Sequence, residues 1–105
     1  MTTHTILLMQ RSSSKETRTY EDFDTLEEAL ESVIRMFETR LKALCPTAEH
    51  LNYSLDDLNR FIDQHKEFCM LVLDAKTQTY ESRDVAWIKV RIHDHLRRLL
   101  AMSKK

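Results

Sequence analysis

The side chains that could do chemistry in this chain are five histidines (His4, His50, His65, His93 and His95), two cysteines (Cys45 and Cys69) and a crowd of carboxylates at Glu21, Asp22, Asp24, Glu27, Glu28 and Glu31. A metal centre needs three or four donors converging on one point. His93 and His95 are two positions apart, about 200° around an ideal helix, so their rings cannot meet at one ion. The other histidines are scattered, and no cysteine or carboxylate cluster completes a ligand set. Cys69 sits in the apolar run Phe68-Cys69-Met70, where burial raises a thiol pKa and works against a nucleophile. Cys45 follows Leu44, and the pair suits buried free thiols better than a disulfide framework. The chain has no glycine, which excludes the familiar phosphate-cradling loops and dinucleotide turns. No metal, no cofactor, no small-molecule substrate and no enzymatic activity are expected.

Two hydroxyl-then-acid spacings remain, Thr19-x-x-Asp22 and Thr25-x-x-Glu28. They fit acidophilic kinases such as casein kinase 2, while the plainer reading of the carboxylates is complementation of a helix dipole, with Thr25 as the helix N-cap. A phosphate at Thr19, beside Glu21 and Asp22, is expected to weaken strand pairing or the dimer discussed below; one at Thr25, at a helix N-terminus, should perturb less. Formal net charge is −1, so the whole molecule is not steered strongly toward nucleic acid or acidic membranes. From Arg83 onward, however, seven Lys/Arg face only Asp84 and Asp94, about +5 in all. A basic last helix could touch RNA, with Trp87 or Tyr80 stacking on bases, but no aromatic array accompanies it. Helix capping and solubility explain it more cheaply. No apolar run approaches the roughly 20 residues of a membrane span, and MTTHTILLMQ lacks a basic region before its short apolar run, so an intracellular protein is expected.

The elements that must position these residues follow from periodicity within one domain, residues 1–105. His4 to Gln10 reads as a strand and Thr17 to Phe23 as a second, joined by a polar loop. Thr25-Leu26-Glu27-Glu28 opens a long amphipathic helix with Leu26, Leu30, Val33, Phe37, Leu41 and Leu44 on its stripe, closed by Pro46. Ser54 opens a shorter helix with Leu55, Leu58 and Ile62 on one side. Phe68 to Leu73 reads as a central strand, turning at Asp74 to Lys76 into a fourth strand, Thr77 to Tyr80, with a further turn at Glu81 to Arg83. Asp84 then caps a last helix striped by Val85, Ile88, Ile92, Leu96 and Leu99. The order is ββααββα.

Both faces of the strands are apolar. Thr5, Leu7 and Met9 face one way and Ile6 and Leu8 the other, and Phe68 to Leu73 is apolar on both sides. Either helices cover both faces, or three helices cover one and a second copy's sheet covers the other; the chain's length favours the second arrangement. Trp87, Met36 and Phe61 are large apolar side chains off the main stripes of their helices, which suits packing on loops or a neighbouring subunit, or a docking groove. For Trp87, packing over the Tyr80 strand end is expected.

Here the chain resembles the enhancer of rudimentary homologue family. The resemblance runs from His4-Thr5-Ile6-Leu7-Leu8 and Arg18-Thr19-Tyr20, through Phe61-Ile62-Asp63 and Leu71-Val72, to Thr77-Gln78-Thr79-Tyr80, Trp87-Ile88-Lys89 and Leu96-Arg97-Arg98. It implies an α+β fold, a four-stranded antiparallel sheet with three helices on one face, that homodimerises through the free face with Ile6, Leu8 and Tyr20 at the interface. It also implies a non-enzymatic adaptor that binds peptide segments of RNA-processing or RNA-silencing proteins, in small-RNA biogenesis among other pathways, with any RNA contact indirect and no membrane involved. Met36, Arg40, Phe61 and Trp87 are the candidate partner-binding residues. Gene silencing and the cell cycle are the implied processes, and the nucleus the implied location, with the cytoplasm as the alternative. The chain departs from typical members at Leu44 to Asn52, Glu81 to Ala86 and Leu99-Leu100-Ala101-Met102, segments that bear on which partners it takes.

Overall fold

The computed structural model of the protein describes residues 3–44 and 54–103; Cys45, His50 and the helix stop expected at Pro46 lie outside the described residues. Four strands, β1 (Thr5–Gln10), β2 (Arg18–Phe23), β3 (Glu67–Asp74) and β4 (Thr79–Arg83), form one antiparallel sheet in the order β2-β1-β3-β4. Among the described residues three α-helices, α1 (Leu26–Leu44), α2 (Leu55–Asp63) and α3 (Val85–Ser103), and a short 3-10 turn (Lys15–Thr17) complete the fold. The ββααββα order expected from periodicity and the α+β class implied by the resemblance are therefore present.

Each helix starts where a side chain satisfies an otherwise unpaired backbone N–H. The Glu28 amide donates to Thr25 Oγ1 at 3.2 Å, and the Trp87 amide to Asp84 Oδ1 at 3.0 Å. At α2 the exchange is reciprocal: Asp57 N donates to Ser54 Oγ at 3.2 Å and Ser54 N to Asp57 Oδ2 at 3.1 Å, a complete capping box.

The core lies between the helices and one sheet face. Leu7, Phe68 and Met70 from the sheet join Leu30, Val33 and Phe37 of α1, Leu58 and Ile62 of α2, and Ile88 and Ile92 of α3 in one buried cluster. Burying each such side chain stabilises the fold by roughly 1.5–3 kcal/mol. Lys89 Nζ reaches both carboxylate oxygens of Asp63, at 2.7 and 2.8 Å, and ties α3 to α2.

Several expectations need correction. The fourth strand runs Thr79–Arg83 rather than Thr77–Tyr80, so Glu81 to Arg83 pair with β3 (Arg83 opposite Met70) and form no turn. The turn instead extends to Gln78. Asp74 Oδ1 accepts from Lys76 N at 2.9 Å, Gln78 N donates to Asp74 O at 2.8 Å, and Gln78 adopts φ 58°. A left-handed Gln has no sequence signal comparable to Gly or Asn. Phe61, read as off its helix's stripe, is 6% exposed and belongs to the core, whereas Leu55 lies at the exposed edge of α2. Leu44 and Leu99, placed on buried stripes, are exposed in the C-terminal parts of their helices.

Candidate functional site: a cationic groove opposite an open sheet face

Strand pairing assigns the two faces of the sheet. Residues directly opposite each other in the ladder share a face. Ile6 lies opposite Leu71 and Asp22, Leu8 opposite Cys69 and Tyr20, and Leu73 opposite Tyr80. These residues form the face without helices, and Ile6, Leu8, Cys69, Leu71 and Leu73 are only half-buried there. Tyr20 is 78% exposed and Tyr80 is also exposed. The proposed interface residues Ile6, Leu8 and Tyr20 thus share one open surface. Cys69 is a free thiol on it, and its pKa is raised, first by desolvation and then by the nearby charge of Glu67. That is the opposite of what a nucleophile needs.

One polar chain crosses this face at its end. His4 Nδ1 lies 2.7 Å from the Tyr80 hydroxyl and Nε2 lies 2.9 Å from Asp22 Oδ2. With a neutral ring, Nε2–H donates to the carboxylate and Nδ1 accepts from the phenol, so every member is satisfied. Sequence reading left His4 among scattered histidines; strand parity, which puts residues 4, 6 and 8 on one face, was the available signal. Two other histidines are structural. Both carbonyls near His65 Nδ1, Phe61 O at 3.1 Å and Ile62 O at 3.3 Å, require that nitrogen to donate, and its ring packs edge-on against Phe61 and Phe68. His95 is buried, its Nε2 lacking a hydrogen-bond partner and lying 3.4 Å from Glu31 Oε1. Among the described residues no group of three His, Cys, Asp or Glu could hold a metal.

On the helix side, an open groove of about 820 Å³ runs between α1, the end of α2 and the β1–β2 edge. Helical steps of three and four bring Ser32, Met36, Arg40 and Ala43 to its wall. Met9 and Thr19, opposite each other in the ladder, line the other side with Glu21. Phe61 closes the floor, held by Phe37 at 5.4 Å between ring centres. Arg11 and Arg35 complete the rim with Arg40. A smaller recess of about 210 Å³ adjoins it where Arg11 and Arg40 approach His65 and Gln64.

Three of the four candidate partner residues, Met36, Arg40 and Phe61, therefore meet in one groove. Trp87 does not join them. Its half-buried ring packs against the core, with the Arg83 and Arg91 guanidinium groups 5.2 and 5.0 Å from its centre. Thr19, read from sequence as acting on strand pairing or the dimer, lies on the groove side of β2, while Asp22 lies on the open face. Arg11, Arg35 and Thr19 were not foreseen as groove residues, because a wall built from three separate elements has no local sequence signal.

The chain's likeness to known proteins matches this architecture in extent. The family model described as "Enhancer of rudimentary" matches residues 1–102. The Arabidopsis thaliana enhancer of rudimentary homolog is 35% identical over 96 residues, 91% of this chain and 88% of that protein. The Dictyostelium discoideum homolog is 33% identical over 96 residues, covering 91% and 96% respectively. The Caenorhabditis elegans homolog is 37% identical over 90 residues, covering 86% and 87%. Proteins of this family are not known as enzymes. With the family model matched from residue 1 to residue 102, the chain belongs to the enhancer of rudimentary family.

Proposed function

We propose that this protein is a non-enzymatic homodimeric adaptor: two copies pair through their open sheet faces, and each groove receives a short segment of an RNA-processing or RNA-silencing protein. The observation that carries this reading is the separation of the two surfaces. The apolar face bearing Ile6, Leu8 and Leu71 and the groove bearing Met36 and Phe61 lie on opposite sides of the sheet, so filling one leaves the other accessible. A dimer built this way presents two grooves facing outward and can hold two segments at once. Action in small-RNA biogenesis and in the nucleus belongs to the same proposal.

Direct RNA contact through α3 is the second reading, and much of that helix's charge is already engaged. Lys89 holds Asp63, Arg91 lies over Trp87, and Arg97 contacts His93 at 3.4 Å. The two readings separate in one experiment. Tagged protein purified from cells with nuclease treatment should retain RNA-processing proteins, and Met36→Glu should lose them while leaving folding nearly intact, with only a modest fall in melting temperature, since Met36 is half-buried at the groove edge of the core. Phe61→Glu is the wrong probe, because it would bury a charge in the core. Loss of every partner on nuclease treatment, or retention of all of them by Met36→Glu, would count against the adaptor reading.

A further inference from the structure

The groove has a chemistry that narrows what can fill it. Its floor is apolar, from Met9, Met36 and Phe61, and its rim carries Arg11, Arg35 and Arg40, all exposed, against one carboxylate among the described residues, Glu21. This local excess of positive charge sits on a chain whose formal net charge is −1. It is also uncommitted. Arg18 holds Gln10, Arg60 holds Asp57, Arg83 holds Glu81, and Arg91 and Arg97 contact Trp87 and His93. Among the described residues, Arg11, Arg35 and Arg40 make no ion pair or hydrogen bond through their side chains.

From this we infer that the groove's occupant is a peptide segment that combines apolar anchors with aspartate or glutamate side chains, the anchors seating on Met36 and Phe61 and the carboxylates on Arg11, Arg35 and Arg40. The inference rests on the adaptor reading and names its ligand class. Guanidinium groups bind carboxylates in a two-point fork, which fixes orientation as well as charge. Methionine supplies an adaptable wall that accepts differently shaped anchors. A nucleic-acid strand fits less well. Among the described residues the groove's aromatic rings are those of Phe61 and His65; Phe61 is 6% exposed, wedged against Phe37 and His65, and His65 packs against Phe68. Neither offers the free stacking platform that single strands use.

The test selects a random-peptide display library on the intact protein, then measures binding of the recovered peptides by fluorescence anisotropy across a salt series. Recovered sequences should pair Leu, Met or Phe with Asp or Glu. Their affinity should fall at least about tenfold with Arg35→Glu plus Arg40→Glu, survive Arg35→Lys plus Arg40→Lys more nearly intact, and weaken with salt. Circular dichroism melts should be unchanged, since both arginines are exposed. Neutral or basic peptides that bind independently of the arginines but are lost with Met36→Glu would overturn the acidic class and leave the groove reading standing. Peptides indifferent to Met36→Glu would overturn the groove reading itself. Failure to enrich any peptide, or polyuridylate binding abolished by the double Arg→Glu change and untouched by Met36→Glu, would overturn the inference.

Discussion

Two threonines with the same acid-flanked sequence context have different structural roles. Thr19 lines the groove with Met9, Glu21 and the three rim arginines, while the Thr25 hydroxyl accepts the Glu28 amide at the start of α1. A negative charge at Thr19 would sit where the proposed occupant's carboxylates bind, so Thr19→Glu should weaken capture of an acidic peptide while leaving the urea midpoint and the association state unchanged. Thr25→Glu should lower the urea midpoint and leave peptide capture unchanged. Losing the cap costs about 1 kcal/mol, partly offset by the favourable placement of negative charge at a helix N-terminus. Equal effects of the two changes on peptide binding would contradict this division. Sequence already told them apart, because a cap is local and Thr25 opens a helix. The groove-facing position of Thr19 was not legible, since it depends on the ladder opposite Met9 and on the position of α1, neither of which is encoded within three residues.

At the level of elements, what was legible was periodic. The stripe of α1, the Ser54 box of α2 and the Asp84 cap of α3 could each be read from spacing, because caps and apolar repeats act over one or two helical turns. The start of the β3–β4 turn at Asp74 was legible and its end was not. That end depends on Gln78 adopting a left-handed backbone and donating its side-chain amide to Ala75 O at 2.7 Å, so the fourth strand starts two residues later than its composition suggests. The groove was partly legible. Met36 showed as a large apolar residue off the stripe, but Phe61 pointed toward the groove for the wrong reason, since it is a core residue whose edge reaches the groove floor. The α2 box also gives a pH prediction. The Asp57 carboxyl is held below its ordinary value of 3.8, chiefly because it accepts the Ser54 backbone N–H, with the Ser54 hydroxyl and Arg60 adding to this. A depressed folded-state pKa contributes stability above the unfolded value that is lost as pH falls through the folded one. Acid titration by circular dichroism should therefore show α2 weakening below about pH 3.8 in the native chain. Asp57→Asn should remove that part of the acid dependence; an identical acid profile in both proteins would show that the box contributes nothing to it.

For the whole molecule, the three helices cover one face of the sheet and leave Ile6, Leu8, Leu71 and Leu73 half-exposed on the other. Pairing that face with a second copy is the proposal that most constrains behaviour in solution. Ile6→Arg or Leu8→Arg would place an unpaired charge in the middle of such an interface, at a cost on the order of several kcal/mol. Both proteins should sediment as monomers at micromolar concentration, whereas Trp87→Ala should not change the association state, because that ring lies on α3 against the core. A fully dimeric Ile6→Arg protein would put the interface elsewhere.

The strand order also has a consequence in time. β1 and β3 are neighbours at the centre of the sheet, yet β2, α1 and α2 all lie between them in the chain. A nascent chain that has reached the end of α2 holds only the β1–β2 hairpin and two helices, without Phe68, Met70, Ile88 or Ile92 to close the core over them. An isolated hairpin is marginal in water, so little of the fold can consolidate until β3 emerges from the ribosome. Until then Leu7 has only the α1 and α2 part of its core to pack against, Ile6 and Leu8 on the other face are uncovered, and both faces depend on whatever in the cell shields a half-made protein.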